Sequence, residues 1–284
     1  MKDLYTFDMD NNTAMMTYEA IHNAYSIFFN RLGVPWRRVK GDCGDIGGQK
    51  SHEYHFPAAI GQDTLLLCSN CDGGKNVEFE ETNDSKKCPD CGGPLVPSKG
   101  IEVGHTFLLG DTYSSKLKAK YITLHNSMCK LHMGCYGIGV SRLIGACVEA
   151  LSNEQELRWP KLIAPFSACV ICPKLGSREE SAMDSAYNLY DNISNPCTGL
   201  FPNDVILDDR DKITVGKKLR DAYKLGYPYI ILFGKSCLDQ NNPQVELHST
   251  SSSSFDGVSE PQTNMIPLSE IQSVLTQLER PKCL

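Results

Sequence analysis

Two clusters of residues in this sequence have types and spacings that could do chemistry. The first is a pair of Cys-x-x-Cys segments, Cys68/Cys71 and Cys88/Cys91, with sixteen residues between them. Each segment sets two thiolates on one tight turn, and two such turns face to face make the tetrahedral sulfur shell that Zn2+ takes. Protein would fill all four positions, which predicts a structural ion rather than a catalytic one. The plainer reading is four reduced cysteines in a loop. The second cluster is Met133 to Ala146, "MGCYGIGVSRLIGA", with Gly134, Gly137 and Gly139 ahead of Arg142. It begins like a dinucleotide turn, but arginine stands where the third glycine would fall. Glycines let a backbone approach a ligand closely. An arginine in the first turn of the next helix adds a permanent charge beside free amides. The combination suits a polyphosphate. Spacing alone fits equally well a glycine-packed turn from strand to helix with an exposed arginine.

The surrounding pattern supplies the elements that must hold these clusters. Tyr18, Ile21, Tyr25, Phe28 and Leu32 recur on one helical face, and Gly33 and Pro35 stop the helix. "VPWRRVK" reads as a strand and "GDCGDIGGQ" as a loop. In the next strand, "SHEYHFPAAI", Ser51, Glu53 and His55 alternate with His52, Tyr54 and Phe56. Residues 66–99 read as a small separate unit holding the cysteine pairs. "IEVGHTFLLG" and "AKYITL" read as strands, and residues 140–151 as a helix with Val140, Leu143, Ile144, Cys147, Val148 and Leu151 on its apolar face. Beyond residue 165 strands alternate with helices: "ACVIC", "EESAMDSAYNLYDNI", "DVILDD", "VGKKLRDAYKLG", "PYIILF", "QVEL" and "SEIQSVLTQLE". That alternation predicts βαβ units and a largely parallel sheet. A domain boundary is expected between residues 164 and 165. The serine-rich stretch 248–257 reads as a loop.

Composition excludes little and directs some. The 284 residues suffice for one large or two medium domains. With 28 basic and 34 acidic residues the net charge is −6, so a nucleic-acid partner would have to be met by local basic patches. No apolar run reaches the roughly 18 residues of a membrane span. The first residues have the character neither of a signal peptide nor of a transit peptide. The thirteen cysteines are odd in number and several lie in apolar settings, which argues against a secreted disulfide framework.

Seven segments in collinear order, "MKDLYTFD", "GDCGDIGGQKSHEYHF", "GIEVGHTFLLG", "MGCYGIGVSRL", "RWPKLIAPF", "VILDDR" and "VGKKLRDAYKLGYP", resemble the prolyl-tRNA synthetase family, in the bacterial-type form found in mitochondria. The resemblance implies an α+β class II catalytic core over residues 1–164, with a small zinc-ribbon-like insertion at 66–99. An α/β anticodon-binding domain over residues 165–284 would follow. It implies a proline–tRNA ligase: proline and ATP give prolyl-adenylate and pyrophosphate, and the prolyl group passes to proline tRNA. ATP and Mg2+ would be used, Zn2+ would be structural, the assembly would be a homodimer, and the place would be the mitochondrial matrix.

By the same resemblance, Arg142 holds the γ-phosphate and Glu102 reaches the phosphates or their Mg2+. Gly137 and Gly139 lie under the adenosine, and His105 lies near both adenylate and proline. Asp3, His52, Glu53 and Cys135 line or brace the proline side. For His105 a hydrogen-bonded core role, and for His52 and Glu53 a purely structural one, are the alternatives. Cys135 is not a nucleophile, because the adenylate is itself the activated species. Arg210, Lys217, Lys218 and Arg220 would contact tRNA, unless they form a solvated helix face. The stretch between "SHEYHF" and "GIEVGHTF" leaves no room for an editing domain. The family also places an α-phosphate arginine and its first signature motif upstream of residues matching "MKDLYTFD". On that comparison the chain starts late and is expected to be inactive alone, and a second reading keeps only tRNA binding through residues 165–284.

Overall fold

The computed structural model describes residues 1–71, 73–77, 87–88, 90–250 and 262–279. The chain divides into two compact units, residues 1–150 and 151–284.

In the first unit the elements run β1 (Lys2–Asp8), α1 (Asn11–Leu32), β2 (Arg37–Lys40), β3 (Lys50–Pro57), β4 (Asp63–Cys68), β5 (Gly74–Asn76) and β6 (Leu95–Gly110). Then come α2 (Thr112–Leu117), β7 (Lys120–Ile122), β8 (Met128–Lys130), β9 (His132–Ile138) and α3 (Val140–Leu151). Seven strands form one sheet in the order β1-β9-β6-β3-β2-β5-β4, with β4 also paired to β6. Among the described residues every pairing in this sheet is antiparallel except β2 with β5, which meet at Lys40 and Lys75. Strands β7 and β8 make a separate hairpin.

Helix α1 starts earlier than its apolar spacing suggested. Asp10 caps it, accepting from the amide of Thr13 while Thr13 Oγ1 accepts from the amide of Asp10. Gly33, left-handed at φ 71°, ends it. The buried stripe is Ala14, Tyr18, Tyr25, Phe29 and Leu32, so Phe29 rather than Phe28 faces the sheet, edge-on to Tyr25 and Phe56 and tilted against Tyr54. In α3 the buried residues are Leu143, Ala146, Cys147 and Leu151, whereas Val140 and Ile144 are exposed.

The cysteine-bearing stretch is not the separate unit its composition suggested. Strand β6 runs unbroken for 16 residues, its first part paired with β4 and its second with β3. The insertion therefore continues the main sheet, because backbone ladders extend into it from both sides. Strand β1 carries no alternation that would announce it, and the ladder to β9 from Lys2–Ile138 to Asp8–His132 makes it a strand.

The second unit contains β10 (Ala168–Ile171), α4 (Met183–Ser194), β11 (Val205–Asp208), α5 (Val215–Leu225) and β12 (Tyr229–Leu232). It ends with β13 (Gln244–Ser249), β14 (Gln262–Pro267) and α6 (Ile271–Glu279). The sheet order is β11-β10-β12-β13-β14. Three strands are parallel, in line with the largely parallel sheet expected; β13, expected from "QVEL", and β14, absent from that expectation, add an antiparallel edge. Val170, Ala186, Leu189, Ile231 and Leu275 pack on one face, and Cys169, Ile171, Ala222 and Ile230 on the other. Such burial on both faces is what parallel strands with crossover helices require. Of the expected serine-rich loop, residues 251–257 lie outside the described residues.

Residues 151–164 belong with this second unit rather than ahead of the expected boundary. The amide of Leu157 donates to Tyr223 O, and Trp159 Nε1 donates to Leu225 O at 3.2 Å. Gly226 ends α5 at φ 76°, and a Cβ there would fall 2.4 Å from Leu157 and 2.9 Å from Trp159. Only glycine lets that segment lie against the helix end.

Candidate active site

A cleft of about 470 Å3 opens on one face of the antiparallel sheet, within the range of small-molecule sites. The pleat decides what reaches it. Ser51 lies opposite Phe107, Glu53 opposite His105, His105 opposite Gly137, Phe107 opposite Cys135, and Gly137 opposite Asp3. These residues share one face. Glu102 joins them only through a bulge. Tyr54 pairs with Gly104 but His55 pairs with Glu102, so Val103 is an extra residue in β6. In a regular strand residues three apart point to opposite faces, and the extra residue brings Glu102 and His105 to the same one.

The polar groups in the cleft form one chain. His105 Nδ1 lies 3.0 Å from Glu102 Oε1, and its Nε2 lies 2.6 Å from Ser51 Oγ. With Nδ1 donating to the carboxylate, Nε2 accepts from the serine hydroxyl, which assigns the tautomer from the network. Phe107 stacks on the imidazole, centroid to centroid 3.9 Å. Burial by itself would raise the Glu102 carboxyl. The hydrogen bond from His105, with the electrostatic influence of His105, His55 and Arg142, outweighs it and holds the group below the usual range.

Arg142, in the first turn of α3, approaches Glu102 Oε2 at 3.6 Å and donates to Glu102 O at 3.3 Å. Its side chain is 62% exposed. So open an ion pair is worth about 0–1 kcal/mol, and the guanidinium is readily exchanged onto an anionic ligand.

The glycines differ in what they do. A Cβ at Gly137 would press on Asp3 Oδ1 at 3.2 Å, so this glycine makes room for a neighbour within the sheet. A Cβ at Gly139 would meet nothing nearer than 3.5 Å. Packing does not demand glycine at 139, and the space it leaves belongs to the cleft. Cys135 is half-buried and burial raises its thiol, which suits a filler rather than a nucleophile.

His52 does not enter the cleft. It sits on the opposite face, with Nδ1 2.7 Å from Tyr18 Oη against α1, and burial pulls its pKa down to about 3. Glu53 is on the cleft face but committed: Oε2 meets His55 Nε2 at 2.8 Å and Asn76 Nδ2 at 3.0 Å. Its place in the site is as a brace.

Ser51, Phe107, His55 and Tyr5 were missed by sequence reasoning, although strict alternation from His105 and Glu53 leads to the first two. Tyr5 lies opposite Cys135 on β1, a strand that carries no periodic signal.

The four cysteines converge. Their sulfurs all lie within 4.8 Å of one another, with Cys68 to Cys91 at 3.4 Å and Cys71 to Cys88 at 3.6 Å. A tetrahedral zinc with Zn–S bonds near 2.3 Å sets sulfurs about 3.8 Å apart, so these residues fit that ion. The amide of Asn70 donates to Cys68 Sγ at 3.3 Å and, as the largest influence, draws that thiol down to about 7.

In the second unit the four basic residues do not form one patch. Lys218 is fully buried, donating to Cys172 O at 2.9 Å and Asp208 O at 3.1 Å. Arg210 is held by Asp208 and Asp221. Lys217 and Arg220 are exposed on α5. A cleft of about 460 Å3 lies past the carboxyl ends of β10 and β12, lined by Lys174, Ser177, Val215 and Lys235 among others. That is where parallel sheets commonly take ligands. Its two lysines were missed, and they could have been found by asking which residues follow each parallel strand.

The family described as tRNA synthetase class II core domain (G, H, P, S and T) matches residues 1–151. The "Probable proline--tRNA ligase, mitochondrial" of Rattus norvegicus is 45% identical over 239 residues, covering 84% of this chain and 50% of that protein. The "Proline--tRNA ligase" of Ehrlichia ruminantium (strain Gardel) is 35% identical over 266 residues, covering 89% of this chain and 60% of that one. The chain thus spans about half to three-fifths of the length of these relatives. The solved prolyl-tRNA synthetase of Giardia lamblia, in complex with prolyl-adenylate, is similar in fold: TM-score 0.67 and 17% identity, over 95% of this chain and 45% of that one. That of Cryptosporidium parvum, with L-proline and AMP, gives 0.65 and 15%, over 97% and 47%. A sheet with this cleft, an arginine at the start of the helix that follows it and these relatives agree: the chain belongs to the class II tRNA synthetase family, in its prolyl group.

Proposed function

We propose that this chain acts as a proline–tRNA ligase, activating proline with ATP and passing the prolyl group to proline tRNA. The observation that carries the reading is the cleft on the antiparallel sheet. There an open arginine, a carboxylate held ionised and a glycine with free space around it converge. Relatives bearing the ligase name, and solved family members holding proline, AMP or prolyl-adenylate, support the same assignment.

In this reading Arg142 leaves its weak contact with Glu102 for the γ-phosphate and neutralises charge on the leaving pyrophosphate. That is electrostatic stabilisation by a group placed in advance. Glu102, ionised at neutral pH, holds the Mg2+ that accompanies the nucleotide, because carboxylate oxygens suit a hard cation. Gly139 leaves the space that admits the adenosine against the backbone, and Gly137 beside it accommodates Asp3. His105, with its tautomer fixed by Glu102 and Ser51, orients the substrate, and Asp3 and Cys135 border the proline side. Glu53 braces this arrangement through His55 and Asn76, and His52 supports the sheet from behind. The four cysteines hold one structural Zn2+.

The second unit serves as the anticodon-binding domain, with Lys217, Arg220 and the rim of the cleft near Lys174 and Lys235 meeting phosphates of proline tRNA. The working form is a homodimer in the mitochondrial matrix; of this, the names of the mitochondrial relatives support the organelle alone. Amino-acid-dependent exchange of pyrophosphate into ATP, followed by tRNA charging, tests the assignment together with the contrary expectation that the chain is inactive alone, which an absence of exchange with every amino acid would favour. Proline, but not threonine, histidine, serine or glycine, is expected to drive both. Equal or greater exchange with another of these amino acids would overturn it.

A further inference from the structure

The cysteine site is built from two halves that are alike in detail. Each is a Cys-x-x-Cys-x-Gly segment, Cys68 to Gly73 and Cys88 to Gly93. In each, the amide of the first cysteine donates to the carbonyl of the final glycine, at 2.9 Å and 2.8 Å. The halves also make room for each other. A Cβ on Gly73 would fall 2.2 Å from Asp90 Oδ2, and one on Gly93 would fall 2.8 Å from Asn70 Nδ2. Asn70 and Asp90 occupy the same place in their respective loops. Each glycine therefore lacks a side chain where the opposite loop arrives.

A strand leaves each half at once. Strand β5 starts at Gly74 and carries Asn76, whose Nδ2 grips Glu53. Strand β6 starts at Leu95 and carries Glu102 and His105. The ladder from Cys68–Leu95 to Asp63–Gly100 joins the site to β6, and Glu102 then pairs with His55, the second partner of Glu53. Both arms from the cysteines thus end on residues of the cleft. Apolar packing gives this region little support of its own. Among the described residues between Pro57 and Gly100, the buried apolar side chains are Leu65, Cys68 and Cys88. With so small a core, the tie between the sulfurs is what can fix the strand starts.

We propose that a zinc ion at Cys68, Cys71, Cys88 and Cys91 is a positioning device for the cleft, setting where β5 and β6 begin and so where Glu53 and Glu102 stand. The inference rests on the four cysteines forming a zinc centre, and it adds that the centre acts on residues beyond its own loops. Zinc content is measured on chain purified without chelator, and cobalt exchange reports the ligand set through thiolate-to-cobalt absorption. Amide hydrogen exchange is then followed with zinc bound, after chelation under reducing conditions, and after zinc is returned. The expected result is about one metal per chain. On chelation, exchange at residues 101–108 should rise about tenfold, with β10 to β12 unchanged and zinc restoring protection. Cys91→Ser, which alters the exposed ligand, should act in the same direction. Absence of metal and of the cobalt absorption would overturn the zinc centre and the inference together. Metal present, but with faster exchange confined to residues 62–76 and 87–97, would leave the zinc centre standing and overturn the positioning role. A uniform rise across residues 1–150 would overturn it too, by making the ion a general stabiliser.

Discussion

The two units treat their charged residues in opposite ways. In the first, Glu102, His105 and Arg142 are gathered into an open cleft where their mutual contacts are weak enough to be replaced by a ligand. In the second, Lys218 is turned inside and spent on two strand-end carbonyls, and Arg210 is tied down by two aspartates. A cluster of basic letters in a sequence is therefore not a basic surface. What distinguishes the two cases is whether the partners of a charge are fixed within the fold or left to be supplied.

The contrast can be pressed at four points. The largest effect is expected from Arg142→Ala, which should lower proline-dependent pyrophosphate exchange by about 10²- to 10³-fold, as removal of one preorganised charge does. Because the side chain is open, urea unfolding should move by no more than about 0.5 kcal/mol. Lys218→Ala should do the reverse. It strands two buried carbonyls and opens a cavity, at a cost of about 3 kcal/mol seen in the unfolding of the second unit. Lys218→Met, which keeps the volume, should recover part of that.

Third, His52 is held neutral, with a pKa near 3 against 6.5 when unfolded. Below pH 6.5 the unfolded chain takes up the proton first. The contribution of His52 should be level above that pH and fall by about 1.4 kcal/mol for each pH step below it, down to about 3. Half-buried His22, pulled down to about 4, adds its own loss over the same range. Urea midpoints between pH 7 and pH 4 measure the slope, and His52→Gln should remove the His52 share of it. The smallest effect should come from Lys217→Ala with Arg220→Ala: tRNA affinity falls several-fold, the salt slope loses about 0.7–0.9 per lost contact, and folding is unchanged. A loss of stability there would mean these side chains too have been claimed by the fold.

Much of this arrangement was legible in the sequence. The helix after the glycines, the arginine in its first turn, the paired cysteines and the βαβ alternation all follow from local spacing, and the structure realises each. What was not legible depends on phase and on partners far along the chain. His52 and Ser51 are neighbours, and only the pairing of β3 with β6 decides which of them faces the cleft. The buried fate of Lys218 required knowing that the ends of β10 and β11 converge beneath α5. The continuity of the cysteine region with the main sheet required seeing β6 pair on both sides, which no window of sequence contains.

The extra residue at Val103 has a consequence for how this site can change over evolutionary time. Replacing a side chain near it alters one contact, but removing Gly100 or Ile101 would let the ladder close without the bulge, set Glu102 opposite Phe56 and send it to the helix side of the sheet. The segment should therefore accept substitutions far more readily than changes of length. An alignment of functional relatives should show it free of gaps, even where the nearby loop Gly41–Gln49 varies in length.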